Sequence, residues 1–219
     1  MEIHIGIGDL LLIYLLPLMF CVVLFFFSTT VLFLLIIMPG IDFNFKQDLE
    51  YLFDSQKNLK RFRNRSLKFL RFYLKTILGD NGTQALFLYR VSRFFNLHGW
   101  RTIADGIHRI SKFLTMIDLS PYADIGRGLQ IYHGSGVVIG KNTKLGERCL
   151  VCQGVTTGSG APKIGNDVKL WAGAKILGNI EIGDHSEVGA NAVLLKSLES
   201  NCIAVGVPAN RIIRKSSTA

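Results

Sequence analysis

One feature constrains this chain more than any other: an aliphatic residue returns every six positions. Ile125 and Ile131 open the series, and Ile139, Leu145 and Val151 continue it. After a short break come Ile164, Leu170, Ile176, Ile182, Val188 and Leu194. Glycine follows directly at Gly126, Gly140, Gly146, Gly165, Gly183 and Gly189. Four positions after the aliphatic the side chain is small, as at Ser135, Thr143, Cys149, Ala174, Ser186 and Ala192. Hairpins would show period-two alternation and two-residue turns, and neither is present. A six-residue repeat specifies a parallel β-helix. Each hexad supplies one short strand and one corner, three hexads close a triangular coil, and the aliphatic points inward onto its counterpart one coil away. The glycines are expected where the corners need unusual backbone angles.

The 219 residues leave room for one such domain and an appendage. From Leu10 to Met38 there are 29 residues without a charge, more than the roughly 20 that span a bilayer core. As a straight helix the segment would be about 44 Å long against a core of about 30 Å. It must tilt, kink at Pro17, or turn back near Ser28 to Thr30 as a shallow re-entrant hairpin; span and hairpin both stay open. A cleaved signal peptide is disfavoured, because the run is too long, no basic residue precedes it and no small-residue cleavage site stands out.

Net charge is +9, and it is concentrated. Between Lys57 and Lys112 stand 13 Lys or Arg against Asp80 and Asp105, a local +11. The stretch Lys57 to Lys75 carries eight basic residues and no acidic one. Leu59, Phe62, Leu67, Leu70, Tyr73 and Leu74 fall on it at broadly helical spacing. Beside a membrane segment this reads as a helix lying on an anionic leaflet, with its side in the cytoplasm. A solvated charged helix is the plain alternative, and a nucleic-acid role is disfavoured by the tether. After the turn Gly79-Asp80-Asn81-Gly82, a helix nearly surrounded by apolar residues is expected, then a second from Gly99 to about Ile117. Four cysteines show no secreted disulfide framework. Cys149 and Cys152 spell CxxC, but no second Cys/His pair completes a zinc site, so no metal is expected.

With these residues in place the chain resembles the left-handed β-helix (hexapeptide-repeat) acyltransferases, in particular the serine O-acetyltransferase branch. The motifs are DLSPYADIG, IYHGSGVVIG, QGVTTG, PKIG, GAKILGNIEIG and AVGVPA, running from Asp118 to Ala209. The resemblance implies a homotrimer that binds acetyl-CoA in grooves between neighbouring β-helices.

Moving an acetyl group from a thioester to a hydroxyl requires a base, because an alcohol is a poor nucleophile at neutral pH. Of the five histidines only His133 and His185 lie in the β-helix. Asp118 stands fifteen residues before His133, nearly one coil, so the two return to one edge and form a candidate dyad. A buried structural His with a coil-capping Asp is the bland alternative. The resemblance makes His133 the catalytic base and Asp118 the carboxylate that orients it. It also implies that Ala172 and Ala190 line the pantetheine arm, that Lys196 and Arg211 meet the phosphates, and that Gly158 is an oxyanion donor. His98, His108 and His185 are paired with nothing reactive in this reading.

Two departures matter. Serine acetyltransferases carry Asp directly before the catalytic His, where this chain has Tyr132. They carry Arg-His before the PKI motif, where this chain reads Gly160-Ala161 on a shorter loop. Those missing groups grip an amino acid's ammonium and carboxylate. Tyr132 and small residues instead suit a neutral polyol, so the acceptor expected is a carbohydrate or glycolipid hydroxyl of a lipid-linked or surface polysaccharide precursor. Serine O-acetylation for cysteine synthesis and a non-catalytic membrane scaffold are the rivals. The expected organisation is a membrane anchor over 1–40, a basic helical region over 41–117 and the β-helix over 118–215. The expected location is a bacterial inner (cytoplasmic) membrane with the catalytic domain on the cytoplasmic side.

Overall fold

The computed structural model describes residues 48, 79–158 and 160–214, all within the second of the two units into which the chain divides, Phe43–Ala219. The uncharged stretch 10–38 and the basic stretch 57–75 lie outside the described residues, so the anchor and surface-helix expectations fall there. Among the described residues no helix is long and apolar enough to cross a membrane.

Two helices precede the sheets. Asp80 caps α1 (Asn81–Leu97) by accepting the Thr83 N–H at 2.8 Å, which satisfies a donor that the first turn leaves orphaned. Helix α2 (Arg101–Thr115) follows directly and ends with Met116 in the left-handed region. Ser92 of α1 donates its hydroxyl to the Ala104 carbonyl of α2. The α1 face with Ala85, Leu86 and Tyr89 is buried against the first coil. There the Tyr89 hydroxyl donates to the Ala123 carbonyl and accepts from the Ile125 N–H. Arg90 enters the same junction, donating to the carbonyls of Ile125 and Gly126 and pairing with buried Asp48.

The rest is a parallel β-helix of three sheets. The first sheet stacks β1 (Asp118–Leu119), β4 (Val138–Ile139), β7 (Thr156–Gly158), β10 (Lys175–Leu177) and β13 (Val193–Leu194). The second stacks β2 (Asp124–Ile125), β5 (Lys144–Leu145), β8 (Lys163–Ile164) and β11 (Glu181–Ile182). The third stacks β3 (Gln130–Tyr132), β6 (Leu150–Cys152), β9 (Lys169–Leu170), β12 (Glu187–Val188) and β14 (Cys202–Val205), and antiparallel β15 (Arg211–Arg214) ends it.

Every aliphatic of the six-residue stripe is buried, and register places each on its counterpart: Ile125 on Leu145 on Ile164 on Ile182, for example. Burying one such side chain contributes about 1.5–3 kcal/mol. Thr157 interrupts the column of Leu119, Ile139, Ile176 and Leu194, and its hydroxyl is satisfied by Thr143 at 2.7 Å.

The hexad glycines serve a different purpose from the one expected. None of the six adopts positive φ; the left-handed corner positions are taken by Gly136, Gly154 and Gly173 and by Arg148, Asp167, His185, Asn191 and Asn201. The hexad glycines are instead selected by close stacking. A Cβ at Gly126 would lie 2.6 Å from the Gly146 carbonyl, and one at Gly146 would lie 2.5 Å from that of Gly165.

Candidate active site at the third-to-first corner

Each coil passes from the third sheet to the first through a tight corner. In the later coils this corner is stacked regularly: the Gly154 N–H donates to the Ser135 carbonyl, Gly173 to Gln153, and Asn191 to Ala172. The first coil departs from this pattern. From Ile131 to Ile139 the step is eight residues instead of six, and His133 and Gly134 occupy the excess. As a result Ser135, small and four positions after Ile131, is exposed, and Val137 fills the buried corner position. His133 is exposed with φ at +56°, a conformation that costs a non-glycine residue energy and recurs at functional positions. No hydrogen bond reaches its ring among the described residues.

This corner lies on the segment that leads into β1. The Gly136 N–H donates to the Met116 carbonyl at 3.0 Å, and the Asp118 N–H donates to the Val137 carbonyl at 2.8 Å. His133 and Asp118 therefore belong to one edge, but the Asp118 side chain is engaged elsewhere. His108 Nε2 lies 2.8 Å from Oδ1, and Lys112 Nζ donates to Oδ2 at 2.6 Å. The hydrogen bond from His108, with help from Lys112, holds the Asp118 carboxyl down at about 2, despite partial burial. His108, which nothing in the sequence pairs with a reactive group, has the aspartate of the candidate dyad as its partner. Helical spacing does show that His108 and Lys112 share a face of α2, but not which corner that face meets.

The remaining candidates divide between two edges. Tyr132, the last residue of β3, is 46% exposed, and its hydroxyl donates to Gln130. Ala172 and Ala190 lie on the His133 edge two and three coils along, about 10 and 14 Å away at about 4.8 Å per strand. Arg211, exposed at the start of β15, pairs with Val205 at the far end of that edge. Gly158, the last residue of β7, and Lys196, two residues beyond β13, lie toward the first-to-second corner, so one chain does not bring them to His133. A Cβ at Gly158 would meet nothing within 4 Å.

Other groups stand apart from this corner. A shallow groove of about 690 Å³ runs along the second sheet past Lys163, Glu181 and Ser197. Cys149 is buried, its thiol pushed up to about 11 by desolvation. Among the described residues no group of three or more metal-ligating side chains converges. Trp171 is partly exposed and donates its indole N–H to Glu187.

Residues 161–196 match the family model described as bacterial transferase hexapeptide (six repeats). A serine acetyltransferase of Synechococcus elongatus is 39% identical over 148 residues, 64% of this chain and 61% of that enzyme. The chain thus spans less than two thirds of that relative's length. A serine acetyltransferase of Helicobacter pylori is 40% identical over 140 residues, 61% of this chain and 82% of that enzyme. A serine acetyltransferase solved in complex with CoA superposes with a TM-score of 0.67 at 29% identity, covering 80% of this chain and 70% of that one.

These relatives overturn the bacterial inner-membrane placement with a cytoplasm-facing catalytic domain. They are named for an amino-acid acceptor, which gives no reason to hold an enzyme at a bilayer. The membrane-lipid and carbohydrate partners expected from the sequence find no support in them either. Fold, repeat and relatives agree: the chain belongs to the serine acetyltransferase family of left-handed β-helix, hexapeptide-repeat acyltransferases.

Proposed function

We propose that this chain transfers the acetyl group of acetyl-CoA to a hydroxyl, with L-serine as the acceptor, His133 as the general base and Asp118 as its orienting carboxylate. The observation that supports the chemical part is the lengthened corner of the first coil, which exposes His133 on the same edge of the coil whose backbone is tied to Met116 and Asp118. His133 takes the proton as the hydroxyl oxygen attacks the thioester carbonyl. The carbonyl oxygen gains negative charge and needs fixed N–H donors. The C–S bond then breaks, the sulfur takes the proton back from His133, and the products are an O-acetyl ester and free CoA.

The acceptor rests on the relatives, which are serine acetyltransferases along the β-helix. The assembly follows from the two edges. The edge with His133, Ala172, Ala190 and Arg211 lacks Gly158 and Lys196, which lie at the other side of the first sheet. A homotrimer in which one chain's His133 edge faces its neighbour's Gly158 edge supplies all of them to one groove. Small side chains at Ala172 and Ala190 leave backbone open to the pantetheine arm, and Arg211 and Lys196 offer cations to the phosphates.

A second reading, acetylation of a neutral polyol, is favoured by one observation. Where the family has Asp and Arg-His, this chain has exposed Tyr132 and the Gly160-Ala161 segment, whose Ala161 N–H is spent on Asn179. Release of free thiol from acetyl-CoA, measured with L-serine and neutral sugars side by side, separates the two. Turnover with serine is expected; turnover with sugars alone would transfer the assignment to the polyol.

A further inference from the structure

Resting on that reading, the clasp around Asp118 adds a part to the site. The backbone of Asp118 is tied to the His133 corner, while its carboxylate is held from α2 by two side chains one helical turn apart. These two partners are not equivalent. The Lys112 side chain is 60% exposed and long, and such surface pairs fix little. The His108 ring is 22% exposed, planar and short, with Nε2 at 2.8 Å from Oδ1. A carboxylate offers about four lone-pair positions; His108 and Lys112 use one on each oxygen, which leaves capacity for a further donor.

We propose that His108 is a positioning residue for acetyl transfer: its Nε2–H fixes the Asp118 carboxylate so that a remaining lone pair receives a ring N–H of His133 when acceptor and acetyl-CoA are bound. Asp118 then bridges two histidines, one anchored on the helix and one exposed at the corner. Because Asp118 is a carboxylate, His108 is the donor in this bond, through its Nε2–H. The helix layer so acquires a function beyond covering the first coil, since it determines which way the dyad's carboxylate faces.

The test compares His108→Ala, His108→Phe, His108→Gln and His133→Ala in the full chain, by thiol release with whichever acceptor the parent protein uses. His108→Phe keeps the ring volume without a donor and stands in if the alanine variant does not fold. His108→Gln retains a side-chain N–H near the Nε2 position. The donorless variants are expected to lose kcat on the order of tenfold, as for other orienting hydrogen bonds one step from the reacting atoms, with KM for both substrates unchanged. His108→Gln is expected to recover most of the loss. Parental kcat in the donorless variants overturns the inference, and so does an equal loss in His108→Gln. If His133→Ala itself keeps parental activity, the underlying assignment of the base has failed instead.

Discussion

Gly134 decides whether the lengthened corner can sit where it does, and Gly134→Ala tests that directly. A Cβ at this position would lie 3.1 Å from Ile117 Cγ1 and 3.3 Å from Ile131 Cγ2, and nearer still to Ile117 Cδ1. Ile117 has no solvent exposure and Ile131 only 8%, so neither side chain can swing out to make room. Overpacking of this kind costs about 1–3 kcal/mol. For a chain of this size each kcal/mol lowers Tm by about 2–4 °C, so Gly134→Ala should melt about 2–12 °C below the parent. Differential scanning calorimetry measures it. Ile117→Val removes Cδ1, the atom most in the way. Alone it should cost about 0.5–1.5 kcal/mol, and combined with Gly134→Ala it should recover part of the loss through a favourable coupling. Gly158→Ala, which would meet nothing within 4 Å, is the matched control and should change Tm little. A Gly134→Ala protein melting within 1 °C of the parent, or a strictly additive double variant, would refute the packing of the His133 corner on Ile117.

Two further outcomes follow from groups away from His133. Arg90→Ala removes the cationic partner of the buried Asp48 carboxylate and frees the carbonyls of Ile125 and Gly126; breaking a buried pair from one side costs about 3–5 kcal/mol, so a Tm drop of about 6–20 °C is expected. Asp118 has a folded pKa of about 2 below an unfolded value of about 3.9, so its stabilising contribution is present above the unfolded value and lost as pH falls through the folded one. The Tm difference between the parent and Asp118→Asn should therefore hold steady above pH ~5 and shrink toward pH ~2; a difference that widens on acidification would contradict the clasp.

The sequence displayed the coil clearly because stacking leaves a periodic signature: each inward aliphatic meets the next coil's aliphatic, so the period survives without any tertiary knowledge. The role of the glycines was misread, because a repeat shows that Cβ is excluded at Gly126 and Gly146 but not whether dihedral or neighbour excludes it. The eight-residue step from Ile131 to Ile139 was visible, yet only the stacked corner shows that its excess is His133 and Gly134. The partnership of Asp118 with His108 was hidden, since it depends on where α2 lands. So was that of Arg90 with Asp48, 42 residues apart. The edge assignments of Gly158 and Lys196 emerged only once three sheets could be told apart.

The most direct measurement is the rate of free-thiol release from acetyl-CoA and L-serine by the parent protein and by His133→Ala, with Tm recorded for both. The account predicts turnover by the parent and a loss of about 10²–10⁴-fold in kcat for the variant at unchanged Tm, the usual contribution of a general base. A His133→Ala protein that is folded and turns over at the parental rate would contradict it.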